Sequence, residues 1–109
     1  MPQVVFHVLS GRWTLPVLAA LEPGPRRHNE LRRAIQPVHP KVLNETLHRL
    51  TTQQLLRREV RAGTPPAVYY ALSDPARSLM QELESLLAWA NDTPSLLQHW
   101  RGHAQRTRL

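Results

Sequence analysis

His39-Pro40-Lys41-Val42-Leu43-Asn44-Glu45-Thr46-Leu47-His48-Arg49-Leu50 carries two patterns at once. Val42, Leu43, Leu47 and Leu50 recur at helical spacing and form an apolar stripe. Lys41, Asn44, Glu45 and His48 fall at i, i+3, i+4 and i+7 and form one continuous polar face, with Arg49 on its flank. Pro40 stands where a first helical residue is favoured, because its fixed φ suits the first turn and its missing N–H has no partner there to lose. The spacing therefore predicts a helix from Pro40 to about Gln53 with an exposed hydrogen-bonding face.

Upstream, Asn29 is a candidate N-cap for a short helix to about Ile35, with Leu31, Ala34 and Ile35 inward, and Gln36-Pro37-Val38-His39 makes the turn. Trp13 to Leu21 reads as a buried helix with Pro16 near its start, stopped by Glu22-Pro23-Gly24-Pro25. Two short helices joined by a tight turn, the second with an exposed polar face, are the helix-turn-helix pattern. Downstream, Leu56–Arg61 and Ala67–Leu72 read as strands around an exposed tip, Ala62-Gly63-Thr64-Pro65-Pro66, whose prolines hold it extended. Ser73 then caps a long helix in which Ala76, Leu79, Met80, Leu83, Leu86, Leu87 and Ala90 make a near-heptad stripe. Asn91-Asp92-Thr93-Pro94 breaks it, Leu96, Leu97 and Trp100 mark a last short helix, and a polar tail is expected from Gly102.

The 109 residues suit a single domain, and 41% hydrophobic content suffices for a core. The division expected is a binding core over 10–73, pairing helices over 74–105 and a tail over 106–109. The net charge is +6, and all of the excess lies in residues 1–66, because residues 67–109 balance four arginines against four acids. A one-sided basic footprint suits a polyanion. Without cysteine there are no disulfides or thiolate metal sites. No apolar run approaches a membrane span of roughly 20 residues. The first residues lack a basic start, apolar stretch and cleavage site, so no secretory leader is expected and the cytoplasm is the default location. His99 and His103 share a helix face, but with no third ligand near them a metal is not expected. Glycine-rich phosphate loops, G-x-S-x-G and close carboxylate pairs are missing as well, which argues against an enzyme and against a cofactor.

Several motifs in order carry a family resemblance. Ser10-Gly11-Arg12-Trp13-Thr14-Leu15 resembles the "GG(K/R)WTL" signature of HxlR-type regulators. "GPRRHNELRRAI" (24–35), "HPKVLNETLHRL" (39–50) and "TPPAVYYALSDPARSL" (64–79) are similar to that family's "GPxRFNELRRxL", "SPRVLSQRLREL" and "VPPRVEYSLTxxGRSL". The resemblance implies a mainly α fold with a small β-hairpin: a winged helix-turn-helix with N- and C-terminal dimerisation helices, acting as a homodimer on operator DNA. Family members usually carry a cysteine just ahead of the proline that aligns with Pro2, and no thiol switch is carried over to this cysteine-free sequence. At positions where the family has "SQR", this chain has Asn44-Glu45-Thr46, and His48 stands where arginine is frequent.

On this reading Arg26, Arg27, His28, Asn29 and Arg33 meet phosphates, and Lys41, Asn44, Glu45 and His48 face the major groove. There Asn suits adenine, Lys guanine acceptors and Glu the cytosine amine. Arg49 reaches a flanking phosphate, and Arg58, Arg61 and Thr64 bring the wing to the backbone or minor groove. Glu45 has a second reading as an i+4 partner of Arg49. The dimer is expected to use Val5, Leu79, Leu83, Leu86, Leu87, Trp89, Leu97 and Trp100, and to call for a palindromic operator. Trp13, Trp89 and Trp100 read first as core and interface anchors. Their alternative is an aromatic-lined pocket for a flat apolar effector that releases DNA. The competing function is a winged-helix protein-interaction module without specific DNA binding; RNA is a lesser alternative, for want of an aromatic stacking platform.

Overall fold

Leu43, Leu47 and Leu50 have no exposed surface, and the rest of the chain is arranged around them. The computed structural model describes residues 3–106, with side-chain surroundings through residue 103. Its elements are α1 (Gln3–Leu9), α2 (Thr14–Ala20), α3 (His28–Ala34), α4 (Pro40–Thr52), β1 (Leu56–Arg61), β2 (Ala67–Leu72), α5 (Asp74–Asn91) and α6 (Pro94–Arg106).

The leucines of α4 meet Val17, Leu18 and Leu21 from α2 and its end, Leu31 from α3 and Val38 from the turn. Leu56, Leu72, Ala76 and Met80 close the cluster from the strands and from α5. Burial of each large aliphatic side chain contributes roughly 1.5–3 kcal/mol, so this cluster dominates the stability of the fold. Two expected inward positions differ. Ala34 is exposed, while Leu31 is buried and Ile35 packs partly on the core. Val42 is exposed and Thr46 is buried in its place. Thr46 tolerates burial because its hydroxyl donates to the Val42 carbonyl at 2.8 Å, satisfying the group locally.

α3 begins two residues earlier than the Asn29 cap predicted. Arg27 is its N-cap, and the Glu30 carboxylate accepts the Arg27 backbone N–H at 2.9 Å, so the acid three residues into the helix fixes the start. α4 begins at Pro40, with His39 Nδ1 accepting the Lys41 N–H at 3.1 Å. It ends in a Schellman turn: the Leu55 N–H reaches the Leu50 carbonyl and the Gln54 N–H the Thr51 carbonyl, with Gln54 left-handed at φ 63°.

β1 and β2 pair antiparallel from Leu56 opposite Leu72 to Arg61 opposite Ala67. Arg26 adds a third strand-like contact. Its N–H and carbonyl bond reciprocally to Tyr70, at 3.0 and 2.8 Å, and fix the chain ahead of α3 to the hairpin. Ser73 joins the hairpin to α5. Its hydroxyl donates to the Gln54 carbonyl at 2.8 Å and accepts the Ala76 N–H at 3.3 Å. α5 then leaves the core, burying only Ala76 and Met80, and α6, which contacts it, extends as helix to Arg106, beyond the expected end at Gly102. Residues 107–109 of the expected tail lie outside the described residues. The radius of gyration is 15.7 Å, against about 13 Å for a compact chain of this length, because these terminal helices project.

Candidate nucleic-acid interface

The α4 ridge stands clear of the fold. Lys41, Asn44, Glu45 and His48 are all exposed, and the leucines beneath them hold that face outward. Val42 lies beside them in the first turn at 36% exposure and adds an apolar group to the ridge. Its apolar character assigns it, in the sequence, to the buried stripe with Leu43, Leu47 and Leu50. Arg49 is turned inward. Its Nη2 donates to Thr14 Oγ1 at 2.7 Å, and its Nη1 to the Gln53 amide oxygen at 3.3 Å and the Val8 carbonyl at 3.5 Å. The guanidinium is thus engaged within the fold, with these neutral acceptors rather than Glu45.

At the start of α3, Arg27, Asn29 and Arg33 are exposed and Arg26 is half-buried, its backbone tied to Tyr70. His28 differs from this group: its Nε2 is buried and has no hydrogen-bond partner, so that nitrogen points into the fold.

The wing presents Arg58 and Arg61 as exposed groups, with Thr64 at its open tip. Arg61 has two neighbours that the sequence reading missed. Its guanidinium lies 3.8 Å from the centroid of the Tyr69 ring, and it pairs with Glu59 at 3.6 Å. Glu59 also pairs with Arg57 at 3.5 Å and so sits between two cations. The i±2 spacing of Arg57, Glu59 and Arg61 on one strand was the available signal, since alternate residues share a face.

The residues expected to pair two copies fall into two groups. Leu79 and Leu83 pack partly on the core, and Leu97 is half-buried. Val5, Leu86, Leu87, Trp89 and Trp100 are about half exposed, together with Val4 and Phe6. Val4, Val5, Val8, Leu9, Leu55 and Leu79 line a wholly apolar groove of about 220 Å³. Trp89 and Trp100 meet at 6.3 Å between centroids, joining α5 to α6. Trp13 stands apart at the start of α2, packed on the core with Arg12 over its ring at 4.9 Å.

A second hollow, of about 390 Å³, lies between the α2–α3 connection and α5. Glu22 and Glu84 meet at its rim, a carboxylate pair that 62 residues of separation hid from the sequence reading. A side-chain hydrogen bond with Glu84 raises the Glu22 pKa above its ordinary value, with desolvation and the Glu84 charge adding to the effect. Among the described residues no group of three His, Cys, Asp or Glu could hold a metal, and no helix is long and apolar enough to cross a membrane.

A helix-turn-helix followed by a two-stranded wing defines a winged helix-turn-helix regulator. The sequence matches the HxlR-like helix-turn-helix family over residues 8–96, and the chain belongs to that family. It is 32% identical over 87 residues to an uncharacterized HTH-type transcriptional regulator of Methanothermobacter thermautotrophicus (strain Delta H), covering 80% of this chain and 66% of the relative. It is 33% identical over 87 residues to the uncharacterized HTH-type transcriptional regulator YtcD of Bacillus subtilis (strain 168), covering 80% of this chain and 69% of the relative. The matched stretch thus spans about two thirds of the length of these two relatives. Diamide-treated YodB from B. subtilis superimposes with a TM-score of 0.73 at 29% identity, over 83% of this chain and 89% of that one. The protein is a transcriptional regulator of the helix-turn-helix type, as its relatives are by name.

Proposed function

We propose that this chain binds a specific duplex DNA sequence as a homodimer. The observation that carries the reading is the α4 ridge, with four hydrogen-bonding side chains raised over leucines that have no exposure. Lys41, Asn44, Glu45 and His48 read base edges in the major groove, and Val42 is placed to meet a thymine methyl. Arg26, Arg27, Asn29 and Arg33 fix the register through phosphates, while Arg58, Arg61 and Thr64 carry the wing to the backbone or minor groove. Residues 10–73 form the reading unit.

Residues 74–105 and α1 supply the pairing surface. The exposed apolar side chains on α1 and α5 support this, as does the apolar groove between α1 and Leu79. A two-fold pair would set its ridges one helical turn of DNA apart and select a palindromic site. Of the three tryptophans read as an effector pocket, Trp13 packs apart on the core, so a flat aromatic effector would have only the half-exposed Trp89–Trp100 pair to meet, and tryptophan fluorescence would report it. A DNA partner places the work of the protein in the cytoplasm.

Gel-shift titration at two salt concentrations tests the reading. A DNA binder weakens steeply with salt through counterion release, whereas a protein-interaction module gives no specific complex. Analytical ultracentrifugation tests the pairing, for which a monomer at micromolar concentration would be the contrary result.

A further inference from the structure

The leucines of α4 pack its inner face on the core and leave the ridge outward. The polar contact that ties α4 to the N-terminal elements is Arg49. One step beyond His48 on the ridge, its guanidinium spans to Thr14 Oγ1 at 2.7 Å and to the Val8 carbonyl, near the C-terminal end of α1, at 3.5 Å. Thr14 has no exposed surface and is the first residue of α2. Gly11 leaves room for this arrangement. A Cβ there would lie 2.7 Å from Thr14 Oγ1 and 2.9 Å from Arg49 Nη2, so a side chain at this position would push the hydroxyl or the guanidinium aside. Gly11, Thr14 and Arg49 therefore form one seat, assembled from three parts of the chain.

We infer that Arg49 is a positioning residue, locking the DNA-reading helix to α1 and α2 so that the placement of α1 sets the orientation of the ridge. The inference rests on the DNA-binding function proposed above. α1 is the element with the largest exposed apolar side chains near this seat, Val4, Val5 and Phe6. Anything that seats α1 acts, through Arg49, on a rigid helix that carries Lys41, Asn44, Glu45 and His48. An arginine held in this way does not meet a phosphate and releases no counterion when DNA binds.

The test uses the full chain, a duplex selected from a random pool and an unselected duplex, at about 50 and 200 mM salt. Arg49→Met and Thr14→Val are each expected to lower the ratio of selected to unselected affinity roughly tenfold, a loss of the size of one misplaced base contact. The salt slope should stay unchanged. Arg49→Lys, which can reach one acceptor but lacks the fork, should fall between them and the wild type. A loss of folded protein would weaken both duplexes by the same factor, and the ratio is blind to it. Where Arg49→Met does not fold, Thr14→Val decides, since it removes one hydroxyl from a side chain of the same shape. The inference is overturned if the ratio is unchanged in the variants. It is equally overturned if Arg49→Met weakens both duplexes alike and lowers the salt slope by about one, the signature of a phosphate contact. A wild-type chain that prefers no duplex at all would end the DNA reading itself, and this inference with it.

Discussion

The Arg61 guanidinium lies 3.8 Å from the centroid of the Tyr69 ring, across the hairpin from its own strand, while Glu59 holds it from the side at 3.6 Å. The wing cation is thus pre-placed on an aromatic face and partly neutralised by an acid. An exposed ion pair of this kind contributes about 0–1 kcal/mol to stability, so the main effect of Glu59 falls on the local field. Glu59→Gln is expected to strengthen binding to unselected duplex several-fold while shifting the unfolding free energy by less than about 1 kcal/mol. Titration of unselected duplex alongside thermal unfolding checks both halves.

Asn44 stands exposed in the middle of the ridge and is the residue best suited to a bidentate contact with a base. Asn44→Ala should cost roughly 1–3 kcal/mol of discrimination between selected and unselected duplex and leave unselected affinity almost unchanged. Equal weakening of both duplexes would remove Asn44 from the groove.

These side chains show what the sequence could and could not convey. The spacing of residues 39–50 located α4, because burial on one face of a helix imposes its period on the sequence, and both strands fall on either side of the Gly-Pro tip that marked the hairpin. Contacts between distant segments impose no period. Arg49 looked like a flank of the polar face until Thr14, 35 positions away, took its guanidinium. Thr46 took the buried place expected of Val42 because a threonine can bury its hydroxyl on its own helix, which makes its type a poor guide to burial. The N-cap moved from Asn29 to Arg27 because Glu30 supplied the capping acceptor. The pairing of Arg26 with Tyr70 uses backbone groups alone and leaves no trace in residue type.

Gln54 holds a left-handed backbone at φ 63°, a conformation that costs a residue with a Cβ about 1–2 kcal/mol. Glycine adopts it freely but loses more entropy on folding. Gln54→Gly is expected to stabilise the fold by up to about 1 kcal/mol, the balance of these effects. Denaturant unfolding with an unchanged slope and a higher midpoint is the expected result.

Glu22 keeps its proton to higher pH in the folded chain than its ordinary value allows, chiefly through its hydrogen bond to Glu84. The folded state therefore binds more protons than the unfolded state between the ordinary and the raised pKa. In that window stability falls as pH rises, and above it the two carboxylates repel. Glu22→Gln should raise the melting temperature near about pH 7, and the gain should shrink towards about pH 4, as Glu22 of the wild type takes up its proton. Melting curves at the two pH values give the comparison.

Selection of bound sites from a random duplex pool, followed by titration of the winner at about 50 and 200 mM salt, tests the central claim most directly. The account predicts an enriched inverted repeat with half-sites about one helical turn apart, bound with an affinity that falls steeply with salt. An unenriched pool, or binding indifferent to both sequence and salt, would contradict it.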